Sequence, residues 1–258
     1  MGSVIMDLEI CVDSVESAMA AARGGAERIE LCSALSEGGI TPSAGLISAV
    51  RAAVGIDVFV IIRPRGGDFV YTGHEFEVMQ KDILEAKKRG IDGVVLGILN
   101  EDATVDRERT RSLIEMSRPL QVTFHRAFDV CKDLDLALEE VIACGADRLL
   151  TSGGKADALR GMEQIARLRE AADGRIRIMA GGGIRTSNVK NLALRTGIRD
   201  VHTSLSKKVK STAYNGGPDC GSLPDKCARF LVMEEDVRAF KSRLQAIPLE
   251  DSPEVSVQ

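Results

Sequence analysis

Gly25-Ala26-Glu27-Arg28-Ile29, Gly90-Ile91-Asp92-Gly93-Val94, Gly145-Ala146-Asp147-Arg148-Leu149 and Gly197-Ile198-Arg199-Asp200-Val201 carry one pattern four times. A glycine is followed by an apolar residue, a charged residue and the opening of an apolar run. Each glycine marks a helix stop, because it enters the left-handed region without steric cost. The glycines are separated by 65, 55 and 52 residues (90 − 25, 145 − 90 and 197 − 145), about two strand-plus-helix units each. The four runs are therefore expected to open strands 2, 4, 6 and 8.

Working outward from them, eight short β-branched or apolar runs alternate with segments of helical period: Val4–Val12, Arg28–Ser33, Asp57–Arg63, Gly93–Leu99, Gln121–Phe128, Arg148–Ser152, Arg175–Ala180 and Asp200–Ser204. The helices between them have readable starts. Asp13 with Glu16 forms a capping box ahead of Val15, Ala18, Met19 and Ala22, and Pro42 fits the first turn of the second helix. Asp106, Asp133 and Ser187 cap the fourth, fifth and seventh. Parallel strands buried on both faces, each returning through a helix, give one α/β domain, a (β/α)8 TIM-like barrel. It is expected over residues 1–247. An irregular segment from Lys207 to Ala228 and a helix from Phe230 to Ile247 follow strand 8, and 248–258 reads as a disordered tail.

Composition narrows the function. Lys+Arg number 34 against 38 Asp+Glu, a net charge of −4, and aromatic residues make up 3% with no Trp. A chain without a basic field or stacking platforms is not expected to bind nucleic acid. Its longest apolar stretches, such as Val58–Ile62 and Val94–Leu99, fall far short of the roughly 18 residues of a membrane span, so no membrane partner is expected. Asp7 and Glu9 break the first apolar run, which is the wrong layout for a secretory leader. Six scattered cysteines (Cys11, Cys32, Cys131, Cys144, Cys220 and Cys227) without a C-x-x-C pair point to a reducing cytoplasm.

Reactive groups in such a barrel stand at the C-terminal ends of strands. Glu9 and Cys11 interrupt strand 1, and Glu30 and Cys32 interrupt strand 2. Residues two apart share a face, so the four groups are expected to meet. Arg63 closes strand 3, His125 and Arg126 end strand 5, and His202 stands in strand 8 with Ser204 on the same side. Either these residues form a buried ion-pair network, with Glu9 and Glu30 balanced by Arg63 or Arg126, or they line a site at the barrel mouth. Ser152 ends strand 6, and Gly181, Gly182 and Gly183 end strand 7. With Ser204 they offer donors where this fold often holds a phosphate, so a small anionic ligand is one expected partner. Two thiolates on neighbouring strands suit Cu(I), a soft ion, although cysteine is also a common small core residue.

Several stretches together closely resemble the CutC copper homeostasis family. They are Cys11-Val12-Asp13-Ser14-Val15-Glu16-Ser17-Ala18, Gly24-Gly25-Ala26-Glu27-Arg28-Ile29-Glu30-Leu31-Cys32, Ser36-Glu37-Gly38-Gly39 with Thr41-Pro42-Ser43, Ile62-Arg63-Pro64-Arg65-Gly66-Gly67-Asp68-Phe69, Thr123-Phe124-His125-Arg126-Ala127-Phe128-Asp129 and Gly181-Gly182-Gly183-Ile184. The resemblance runs from about Met6 to Ser204. It implies a cytoplasmic, homo-oligomeric TIM barrel associated with copper tolerance, with Cu(I) on Cys11 and Cys32 as the metal ligands. An enzyme acting on a small anionic or phosphorylated substrate is the alternative. There Glu9 or Glu30 is the general acid or base, His125 shuttles a proton, Arg63 holds the anion and Gly181–Gly183 cradle the phosphate.

Overall fold

The computed structural model describes residues 6–209 and 229–248. Eight parallel strands close into a barrel in chain order: β1 (Asp7–Val12), β2 (Arg28–Leu31), β3 (Asp57–Ile61), β4 (Gly93–Leu96), β5 (Gln121–Phe124), β6 (Arg148–Thr151), β7 (Arg177–Gly181) and β8 (Asp200–Thr203), with β8 paired back to β1. The crossovers are helices α1 (Val15–Arg23), α2 (Ala44–Ala53), α3 (Gly73–Lys87), α4 (Arg107–Ser117), α5 (Leu134–Cys144), α6 (Met162–Ala172) and α7 (Val189–Thr196).

The fourfold sequence pattern has a physical explanation here. Gly25, Gly90, Gly145 and Gly197 all have positive φ, at +94°, +69°, +89° and +67°, so each turns the chain out of a helix and into the next strand. In the first three copies the acid two residues on fastens the preceding strand. Glu27 accepts from the Leu8 N–H at 2.9 Å, Asp92 from Val58 at 2.8 Å and Asp147 from Val122 at 2.7 Å. A basic side chain then closes each acid: Lys241 on Glu27, Arg51 on Asp92 and Arg118 on Asp147. The fourth copy has Arg199 where the others have an acid.

Helix starts follow side-chain chemistry. Asp106 and Asp133 cap α4 and α5 as expected. For α1 the cap is Ser14, whose hydroxyl accepts from the Ser17 N–H, and Asp13 lies one residue too early. Ser43 caps α2, leaving Pro42 outside the helix, and the N-cap position of α7 is Asn188, which makes no side-chain cap bond, rather than Ser187. Strand 5 ends sooner than its apolar run because the Nδ1 of His125 accepts from the Ala127 N–H at 3.2 Å, turning the chain into a short 3₁₀ segment.

After β8 the expected irregular segment opens with β9 (Ser206–Val209), paired antiparallel with β10 (Arg229–Val232). Positions 210–228 lie outside the described residues, as does the expected tail from 249. Phe230-Leu231-Val232 is a continuous apolar run rather than a helical one, so the final helix α8 (Glu234–Gln245) begins later than Phe230. Its first turn holds Glu234, Glu235 and Asp236, which suits the positive end of the helix dipole. Lys241 of α8 reaches the Met6 carbonyl at 3.0 Å, which fixes the helix under the N-terminal end of the barrel.

Two cores result. The larger lies between the strands and the helices, while Cys11, Cys32, Phe59, Ile61 and Val95 pack separately from it. Below them a buried charge chain fills the barrel. Arg28 binds Glu9 and Asp200, Arg148 also faces Asp200, and both guanidiniums lie about 5 Å from the Phe59 ring, at 5.1 and 5.4 Å.

Candidate functional site

The mouth of the barrel is a cavity of about 550 Å³, within the range of small-molecule pockets. One wall is made by the first, second and eighth strands. The register sets Cys11 beside Glu30 and Glu9 beside His202, so residues two apart on neighbouring strands reach one point. The Sγ atoms of Cys11 and Cys32 are 3.7 Å apart, with Cys11 Sγ 4.0 Å from Glu30. Cys32 is completely buried, and only Cys11 of the pair reaches the cavity. The Cys32 hydrogen bond, burial and the Glu30 carboxylate together push the Cys11 thiol well above its ordinary pKa. The other described cysteines lie elsewhere, Cys131 against the Ala127 carbonyl and Cys144 against that of Arg107. Cys220 and Cys227 are outside the described residues.

Glu9 and Glu30 have opposite surroundings. Burial opposes ionisation of Glu9, but the Arg28 guanidinium and His202 outweigh it and hold the carboxyl near 2. Because an ionised carboxylate only accepts, His202 donates its Nδ1 hydrogen to Glu9 Oε1, at 2.7 Å. That bond and the Glu30 charge raise the His202 pKa despite burial. Glu30 has no such clamp. Its Oε2 is buried without a hydrogen bond, 3.8 Å from His202 Nδ1, and burial with the Glu9 charge beside it pushes its carboxyl up to about 7. The ligand atoms of Glu9, Glu30 and His202 lie within 4.8 Å of one another. Since Arg28 already neutralises Glu9, this trio is less suited to a cation than its spacing suggests.

Across the cavity stands His125. Burial and the Arg63 charge drive its pKa down to about 3, so the ring is neutral. With Nδ1 accepting from Ala127, the proton sits on Nε2, which is buried without a partner. Such a ring donates a hydrogen bond rather than relaying a proton. Arg63 is committed to the backbone: it donates to the carbonyls of Glu37, Gly39 and Gly67 at 2.7, 2.9 and 2.8 Å. It pins two loops together, and only its Nε lacks a partner.

The expected anion donors divide into two groups. Those of the loop after β6 are taken by Asp129, which receives the N–H groups of Ser152 and Gly154 and the hydroxyls of Thr151 and Ser152. Arg126 then binds both Asp129 and Ser152. Gly181 lies within β7, and its missing side chain makes room for Leu150 and His202. Gly182, Gly183 and Ser204 line the cavity.

The sequence pattern assigns the balancing of Glu9 and Glu30 to Arg63 or Arg126, whereas in the structure Arg28 pairs with Glu9 and with a third buried carboxylate, Asp200, which Arg148 also faces. The signal is present in β2, where Arg28, Glu30 and Cys32 follow one another at intervals of two and so share a face. The pattern also passes over Asp129, which is read correctly only once the loops after β5 and β6 are known to meet.

The chain resembles known proteins over most of its length. It is 53% identical over 197 residues to the human copper homeostasis protein cutC homolog, covering 76% of this chain and 72% of that one. A family protein CutC of Chromobacterium violaceum is 45% identical over 240 residues, 92% of this chain and 97% of the relative. Among solved structures, a copper homeostasis protein CutC from Streptococcus agalactiae superposes with a TM-score of 0.73 at 34% identity, covering 77% of this chain and 98% of that one. No helix among the described residues is long and apolar enough to cross a membrane. The family model named CutC matches residues 6–207, and the chain belongs to the CutC family.

Proposed function

We propose that this chain takes part in copper handling, with Cu(I) held by the thiolates of Cys11 and Cys32 at the base of the barrel mouth. The observation that carries this reading is the 3.7 Å approach of two sulfur atoms whose other contacts are weak, a carbonyl 3.5 Å from one and a carboxylate 4.0 Å from the other. Paired soft donors select a soft, low-coordinate ion. The names of the relatives, copper homeostasis proteins, agree with it. Because the Cys11 proton must leave for the metal to bind, affinity rises with pH. The recessed position suits storage or sensing better than rapid hand-over, and free thiols suit the reducing cytoplasm. In this reading the chain works there as a homo-oligomer. X-ray absorption of protein loaded with one equivalent of Cu(I) tests it: a sulfur shell supports the assignment, and a shell of nitrogen and oxygen alone overturns it.

A second reading is favoured by the unequal carboxylates. A Glu9 held charged near 2 beside a Glu30 that titrates at about 7 is the separation that acid–base enzymes use. In that reading Glu30 exchanges a proton with a small anionic substrate, the Glu9–His202 pair fixes the adjoining wall and His125 Nε2 donates to the substrate. Deuterium uptake from D₂O into small carbonyl acids and phosphates, followed by proton NMR, tests it. Exchange that is lost in Glu30→Gln supports this chemistry.

A further inference from the structure

The loops after β7 and β8, next to the strand that carries Cys11, form a wall of hydrogen-bond donors with fixed directions. The Gly182 carbonyl accepts from the Ala158 N–H at 2.9 Å, and the Gly183 carbonyl accepts from the Asn188 side-chain amide at 2.9 Å. In a trans peptide the carbonyl and the following N–H point in opposite directions. The N–H groups of Gly183 and Ile184 are thereby turned away from those partners, and neither has a protein acceptor among the described residues. Positive φ at Gly182 and Gly183, +99° and +70°, makes this conformation accessible. The Thr203 hydroxyl, on the Ile184 carbonyl at 2.9 Å, fixes the loop after β7 to the end of β8 and brings Ser204 alongside.

Charge on this wall is positive. Arg185 lines the cavity with no side-chain partner among the described residues. Arg126 is held at Nε by Asp129 and at Nη2 by Ser152, and its Nη1 lies 3.4 Å from where a Gly182 Cβ would stand. Two carboxylates line the cavity, Glu30 and Asp129. Asp129 is saturated by its own donors, and it shows what the neighbouring loop accepts, since a carboxylate already fills the equivalent nest after β6. Independently, His125 Nε2–H is buried and unpartnered on the same cavity, at a residue only 5% exposed. Such a donor costs stability unless a ligand satisfies it.

We propose that the loops after β7 and β8 bind a phosphate-sized oxyanion through the N–H groups of Gly183 and Ile184, the Ser204 hydroxyl, Arg185 and Arg126 Nη1. The oxyanion is the handle of a small phosphorylated ligand. The rest of that ligand fills the cavity toward His125, which donates to an oxygen on it. The site uses none of the thiol chemistry, so it stands or falls apart from the copper reading.

Inorganic phosphate titrated into metal-free protein and followed by ³¹P NMR, at ionic strength held constant with chloride, tests it. The expected result is saturable binding of one phosphate per chain. It weakens at least about tenfold in the Arg185→Glu/Ser204→Ala double variant, as loss of charge-assisted hydrogen bonds requires. It is unchanged in Arg111→Glu, which alters a distant exposed arginine of α4 on the helical surface. Both altered residues lie outside the core, and matched thermal unfolding confirms that the double variant is folded. Three results overturn the proposal: no saturation up to about 20 mM phosphate, undiminished binding in the double variant, or an equal loss in Arg111→Glu.

Discussion

His202 donates to Glu9 across 2.7 Å, joining the last strand of the barrel to the first through side chains as well as backbone. The same carboxylate binds Arg28 with its other oxygen, so one residue without solvent exposure, at 0%, satisfies two buried donors. Glu9→Gln leaves Arg28 buried with a partner lost, and breaking a buried pair costs about 3–5 kcal/mol. Urea unfolding at pH 7 is expected to show a loss of that order. The His202 titration, followed by NMR, moves downward because its acceptor has lost its charge.

The pH dependence of Glu9 has a definite sign. Its folded pKa, about 2, lies below the ordinary 4.5, so its contribution to stability is complete above 4.5 and is lost as pH falls toward 2. His202 is raised; its contribution is complete below its unfolded pKa and is lost as pH rises through the folded one. Equilibrium unfolding at several pH values is expected to show the Glu9 loss in wild type and no such loss in Glu9→Gln.

Glu30 works in the opposite sense to Glu9. The folded chain holds its proton up to about 7, while the unfolded chain releases it near 4.5, so this residue lowers stability as pH rises from 4.5 through 7. Glu30→Gln removes the titration. The variant is expected to be more stable than wild type at pH 8, by about 3 kcal/mol, and to lose the advantage at pH 4. A variant less stable at both pH values contradicts the assignment.

Gly93 is required by a ring. A Cβ there would stand 2.5 Å from the Phe59 side chain, which Arg28 and Arg148 hold between them. Gly93→Ala is expected to cost about 1–3 kcal/mol by overpacking, whereas Gly55→Ala, with open space around its Cβ, is expected to leave the unfolding midpoint nearly unchanged.

Asp129 organises the loop after β6 as an acceptor only. An amide at this position has one oxygen for two sets of donors: with it on the Ser152 and Gly154 N–H groups, its NH2 meets the Arg126 Nε–H and the Ser152 hydroxyl, so Asp129→Asn is expected to cost about 1–3 kcal/mol, close to the cost of Asp129→Ala. Thermal unfolding of the two variants side by side checks this; an Asn variant as stable as wild type contradicts it.

The barrel is legible in the sequence because its signals are local. Glycines at helix ends, acids two residues later and apolar runs at regular intervals each encode one unit, and closure follows from repetition. The meeting of Cys11, Glu30 and Cys32 is also readable, since alternation and strand adjacency are enough to predict it. What escapes is the choice of partner. Arg28 rather than Arg63 neutralises Glu9, because the strand register decides which residues face each other inside the barrel, and Arg63 finds three carbonyls nearer. The strand β10 over Phe230, where helical period was expected, has a similar origin. Pairing with Ser206–Val209 comes from a segment distant in the chain.

A Cu(I) titration of fully reduced protein against a competing chelator, comparing wild type with the Cys11→Ser/Cys32→Ser double variant, tests the central claim most directly. The predicted result is one Cu(I) per chain, bound more tightly as pH rises and lost in the double variant. Binding of equal strength in the double variant contradicts the thiol site and removes the basis for a direct role in copper handling.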